Sequence, residues 1–172
     1  MTPANDGATV TIKFHYDQRY RQRIIDDAEP DSWIQTSISI DGTDLYGETY
    51  SRVTGFACGI VISLLESVVA AQSTERTIIE FENGPSWLTV DPIDETTVEL
   101  AACHTYSGAK DPNERLDVDR VQLVQRSAWR DAVVTHAHDF IEEIIDLNPE
   151  LDEHEVIAQI RSQVREIEST ER

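Results

Sequence analysis

Lysine is almost missing from this chain. Only Lys13 and Lys110 occur among 172 residues, so nearly all of the positive charge is arginine. Cysteine is scarce as well, and Cys58 and Cys103 are too few for a disulfide framework or a four-cysteine zinc site. They read as small buried hydrophobes. No apolar run reaches the ~20 residues that span a bilayer. The best candidate, "GFACGIVISLLESVVAA" from Gly55 to Ala71, falls short and holds Ser63, Glu66 and Ser67. There is no phosphate-cradling glycine loop, no GxSxG elbow, no HExxH and no CxxC, so the familiar motif-borne chemistries have no foothold. No charged segment followed by an apolar run opens the chain, so nothing suggests secretion, and a cytoplasmic location is expected.

What the chain has in excess is acid. Asp and Glu number 33 against 14 Lys and Arg, for a net charge of -19. In dilute buffer such a surface repels itself. Near 1 M salt the Debye length falls to about 3 Å, which quenches that repulsion while carboxylate hydration keeps the protein dissolved. The apolar fraction, 40%, is ordinary and well patterned, which separates this chain from disordered acidic tracts. With Asp, Glu, Thr and Val plentiful and lysine nearly absent, the composition resembles that of haloarchaeal cytoplasmic proteins. The resemblance spans the whole chain and implies salt adaptation without specifying an activity. The same charge argues against unassisted nucleic-acid binding and against anionic membranes.

The first eight residues are expected to be loose. Val10, Ile12, Phe14 and Tyr16 then alternate with Thr11, Lys13 and His15, the period of a half-buried strand. Ile34, Ile38 and Ile40 mark a second strand, and Asp41-Gly42 supplies the positive-φ pair of a tight hairpin that sets Ile40 opposite Thr43 and Ile38 opposite Leu45. The stretch Gly55–Ala71 is apolar nearly all round and must be covered on more than one side. Short strands follow in "RTIIEFE", "SWLTV" and "TTVELAAC"; residues 104–115 read as a loop, and Leu116, Val118, Val121 and Leu123 as a further strand. From Ser127 the period becomes helical, with Trp129, Val133, Phe140, Ile144 and Leu147 in one stripe, and Asn148-Pro149 ends it. Asp152 and Glu155 suggest a capping box for a last helix carrying Val156, Ile160, Val164 and Ile167. The expected class is α+β: a mostly antiparallel sheet, a buried central helix and two C-terminal helices in a single domain over residues 1–172.

In "FENGPSW", Asn83-Gly84 signals a two-residue turn, but Pro85 has no amide to close it, so a four-residue loop with Glu82 opposite Trp87 is expected. Either register puts Ile79, Phe81, Leu88 and Val90 on one face and Trp87 on the other. The same parity sends Trp33, Tyr46 and Tyr50 to the polar side of the first hairpin. If one sheet carries both hairpins and that face is open, these four aromatics form a contact surface; otherwise a helix or loop covers them.

Three clusters could carry chemistry. His136, Asp139 and Glu143 share a helical face at metal-ligating spacing, although His136 also borders the apolar stripe. Cys103-His104 pairs a thiol with a base, yet strand neighbours face opposite ways. Arg19, Arg21 and Arg23 form the one basic cluster and could grip an anion, or could pair with "DDAEPD" beside them. The small acidic α+β plan without a catalytic motif resembles immunity-type and other interaction proteins. A non-enzymatic module that binds a protein partner, or a second copy of itself, is the leading expectation, and no cofactor is expected. Alternatives are a small metal-dependent or small-molecule enzyme using His136, Asp139 and Glu143 or His104, and a nucleic-acid regulator using Arg19, Arg21 and Arg23.

The acidic coat makes a direct prediction. Thermal unfolding followed from dilute to near-saturated potassium chloride gives a midpoint that rises with salt; an unchanged or falling midpoint removes salt adaptation as the purpose of the charge.

Overall fold

The computed structural model describes residues 7–47, 52–82 and 86–171. Among these, two four-stranded antiparallel sheets and five α-helices make an α+β fold. The first sheet holds β1 (Val10–His15), β2 (Trp33–Ile40), β3 (Thr43–Asp44) and β4 (Val53–Phe56); β1 lies along one edge of β2, and β3 and β4 share the other. The second is a meander of β5 (Thr77–Phe81), β6 (Ser86–Pro92), β7 (Thr97–Cys103) and β8 (Arg120–Gln125). The sequence pattern did not separate the two. They meet where the Glu82 amide donates to the Thr54 carbonyl at 2.8 Å and the Tyr46 hydroxyl to the Trp87 carbonyl at 2.8 Å.

Local chemistry explains most element boundaries. Asp41 and Gly42 take φ of 52° and 80°, the geometry a two-residue hairpin needs, and Ile40 faces Thr43. Phe81 pairs with Ser86 and Glu80 with Trp87, the tighter of the two registers, so Glu82 is not opposite Trp87. The shift is an even step, so Ile79, Phe81, Leu88 and Val90 still share the buried face. Residues 83–85 lie outside the described residues.

Four expectations need correction, and one helix was not anticipated. Residues 18–27 form a helix, α1 (Gln18–Asp27): the Asp17 carboxylate accepts from the Tyr20 amide at 2.7 Å, and Tyr20 and Ile24, one turn apart, bury its inner face. The segment 104–115 contains α3 (Tyr106–Lys110), capped by Thr105, whose hydroxyl accepts from the Gly108 amide. Leu116 and Val118 are exposed and precede β8, because the Asp119 carboxylate folds back onto the Leu116 amide at 2.9 Å. Asp152 does not cap the last helix, α5 (Glu155–Ser169): Pro149–Glu153 form a 3-10 turn, and His154 takes the cap by accepting from the Val156 amide. Of the opening residues expected to be loose, Ala8 is buried in the core.

The central element is α2 (Ala57–Gln72), with Ala57, Ile60, Val61, Leu64, Leu65 and Val68 buried and only Gly59, Glu66, Val69 and the terminal Gln72 exposed. It packs on α4 (Arg126–Leu147) and α5 on one side and on β5 and β6 on another. At its contact with α4 the Ser67 hydroxyl donates to the Leu64 carbonyl at 2.6 Å and accepts from the indole N–H of Trp129 at 3.1 Å, both side chains being fully enclosed. Ser67→Ala strands that indole N–H and is expected to lower stability by about 1–3 kcal/mol, the cost of an unsatisfied buried donor; the denaturant midpoint reads it.

Candidate functional site

The aromatic surface read from strand parity does not exist as one face. Trp33 and Trp87 belong to different sheets. Strand β3 stops after Asp44, and the turn through Gly47, φ 79°, sends both Leu45 and Tyr46 inward. The Tyr46 ring then stands edge-on to Phe81, 6.3 Å away, and burial pushes its hydroxyl well above the usual phenol range. Trp87 and Ile78 pack on Ala101, Cys103 and Ala109, with the Tyr106 ring of α3 at 5.9 Å, so Trp87 is half-buried. Tyr50 lies outside the described residues.

Of the three described members of that set, Trp33 is the exposed one, and its companion is one that parity did not supply. Phe56, the last residue of β4, sits directly opposite Trp33 in register, their rings 5.3 Å apart and edge to face, and each residue is 44% exposed. Beside them is a cleft of about 390 Å³ whose walls include Asp17, Arg19, Arg23 and Asp31. Asp31 closes the start of α2: its Oδ1 accepts from the amides of Cys58, 3.0 Å, and Gly59, 3.4 Å, in place of the missing local cap. The signal in the sequence was Phe56 at the polar end of an apolar run.

The arginines divide between two sides of α1. Arg19 and Arg23 are one turn apart and both line this cleft, whereas Arg21 turns to Glu143 on α4 at 3.7 Å. A three-arginine grip is therefore not formed: alternate spacing converges on an extended strand, not on a helix. Arg23 also reaches Asp27 at 3.9 Å.

The metal-like triplet is not assembled either. His136 is 5% exposed, its ring edge-on to Phe14 at 4.3 Å, while Asp139 is exposed and Glu143 serves Arg21. Among the described residues no three His, Cys, Asp or Glu side chains come together to hold a metal ion. His104 turns to Asp119, with Nδ1 and the backbone amide 2.8 and 2.9 Å from the same carboxylate oxygen. Cys103 is sealed in its small cluster, and burial raises its thiol. No thiol–imidazole couple results.

His136 lines a second depression, a groove of about 390 Å³ between β1 and α4, and its Nε2 has no hydrogen-bond partner among the described residues. No helix among those residues is long and apolar enough to cross a membrane. No family model, curated protein or solved structure matches the chain.

Burial lowers the His136 imidazole to about 4, against a smaller opposing contribution from the Ile12 backbone. A base depressed in the folded state stabilises the fold fully above its unfolded value, near 6.5, and the stabilisation is lost as pH falls toward 4. The difference is worth about 3 kcal/mol at most. Between pH 7 and 4 the wild type should therefore lose roughly that much more stability than His136→Phe, a comparison that cancels the protonation of the surface carboxylates.

Proposed function

We propose that this chain is a salt-adapted, cytoplasmic, non-enzymatic module that works by binding another protein, with the Trp33–Phe56 ledge as its contact surface. The observation that carries the reading is that ledge itself: two large rings, each 44% exposed, stacked edge to face at the mouth of a cleft. Aromatic anchors with arginine beside them are the residues most enriched among interface hot spots, and Arg19 and Arg23 stand there.

Two further features support binding over catalysis, and a third weighs on the kind of partner. The imidazoles of His104 and His138 are engaged by Asp119 and Glu168, and that of His154 caps a helix. Both thiols are buried and raised. Two of the three α1 arginines, Arg21 and Arg23, are shared with Glu143 and Asp27, which weakens a nucleic-acid reading.

The test uses the purified chain immobilised at high potassium chloride and exposed to lysate of the producing cells. Proteins retained by the wild type should lose about tenfold or more in affinity for Trp33→Ala/Phe56→Ala, as truncated anchors do. Retention of the same proteins by the double variant, with its circular dichroism unchanged, rejects the ledge as the contact surface.

A further inference from the structure

Strand β1 has one partner only. Its register with β2 pairs Thr11 with Ser39 and Lys13 with Ser37, and the Thr9 carbonyl accepts from the Asp41 amide at 2.9 Å. In an antiparallel pair the residues alternate, so the odd positions bond to β2 and the amides and carbonyls of Val10, Ile12 and Phe14 point off the opposite edge. No strand pairs along that edge among the described residues. An open edge of this kind is a template for another chain.

The edge does not face bulk water directly. It forms one wall of the groove of about 390 Å³, with Ala8–Ile12 on one side and the α4 face from Ala128 to Asp139 on the other. The five residues from Ala8 to Ile12, of which the last three belong to β1, extend about 16 Å, and the helix from 128 to 139 rises about the same. The walls therefore run together for the length of a short extended peptide. Ala128 and Ala132 keep the far wall low. The charged side chains lining the groove are both acidic: Asp139, and Asp131, which Arg130 also contacts at 2.7 Å. The groove also takes in His136, whose buried Nε2 lacks a partner among the described residues, and such an atom normally finds one.

From this we infer that the groove binds a cationic peptide in extended conformation, added to β1 as a fifth strand of the first sheet. In the mode of strand addition, the backbone of the peptide takes up the outward amide and carbonyl of Val10 and the outward amide of Ile12, whose carbonyl already lies against His136. Specificity comes from charge. Asp131 and Asp139 are eight residues apart, about 12 Å along the helix, which matches two basic side chains four positions apart on an extended strand. A second copy of this chain fits worse, because it carries the same net charge of -19 to the same acidic wall. The inference rests on reading the chain as a protein-binding module, but on a surface separate from Trp33 and Phe56.

The probe is a fluorescent heptapeptide, Val-Lys-Val-Thr-Val-Lys-Val, with a glutamate analogue in place of both lysines and an analogue N-methylated at alternate amides. Fluorescence anisotropy in potassium chloride that keeps the protein folded should show saturable binding of the lysine peptide. The glutamate and N-methylated analogues should bind about tenfold more weakly or worse, since each lacks one of the two required features. Asp131→Asn/Asp139→Asn should weaken the lysine peptide by a similar factor. Val10→Pro should abolish binding, because proline is tolerated on an edge strand and takes away the outward amide, together with part of a core side chain. If Val10→Pro does not fold, the N-methylated peptide on the wild type decides the same point.

Several results overturn the inference: no binding of the lysine peptide, equal binding of the N-methylated analogue, or indifference to the two aspartates. So does binding that appears only after residues 1–6 are removed, since the occupant is then the chain's own leading segment. A dimer in light scattering that Val10→Pro dissolves gives the edge to a second copy instead. Trp33→Ala/Phe56→Ala should bind the peptide as the wild type does, so failure here and failure of the aromatic ledge are read separately.

Discussion

The fold depends on a helix with almost no polar side. Helix α2 carries one charged residue, Glu66, and would be insoluble alone; it becomes an asset when three neighbours close around it. The β5–β6 face takes one flank, and α4 and α5 take the others. Burial of this kind is non-directional, so it does not by itself fix how α2 is rotated. The Ser67–Trp129 hydrogen bond supplies direction, because only one rotation of α2 presents its single enclosed hydroxyl to the indole of α4. Asp31 fixes the other end by binding the first free amides of the helix from the loop before β2. One apolar contact surface thus provides the energy, and two polar contacts provide the register.

Arginine does structural work that its scarcity beside 33 acids would not suggest. Arg126 donates to the Ala71 carbonyl near the end of α2, and Arg76 to the carbonyls of Ala109 and Lys110 at the end of α3. These are the carbonyls a helix leaves unpaired, and a guanidinium answers both their hydrogen-bonding need and the negative end of the helix dipole. Arg115 holds Glu99 across β7 at 3.0 Å with both side chains largely shielded. Such contacts survive screening better than exposed pairs do.

How far the sequence could be read follows from which forces act locally. The strand period of Val10 to Phe14, the Asp41-Gly42 turn and the stop at Asn148-Pro149 each rest on neighbours in the chain, and each matches the observed element. The buried faces of β5 and β6 were legible even with the turn register misjudged, because the error was an even step. Helix α1 was hidden: its arginines alternate like a strand, and its apolar side is only Tyr20 and Ile24. Parity failed at Tyr46 because it holds only while a strand continues, and β3 ends two residues earlier. The separation into two sheets depends on β4 pairing back onto β2, which no local pattern encodes. That no strand among the described residues pairs along the outer edge of β1 is likewise visible only in three dimensions.

The sheets differ from the helices in how far along the chain they must reach. Every ladder joins strands that follow closely in order, so both sheets are complete once β8 has been made. The cover of α2 comes from α4 and α5, at the far end of the chain. On the ribosome, where chains emerge from the first residue onward, α2 therefore leaves the exit tunnel long before the helices that shelter it. Over that interval its leucines and valines are an exposed apolar surface on the nascent protein. A holdase that binds exposed apolar chain would find its grip there, on a stretch that the finished molecule buries deeply.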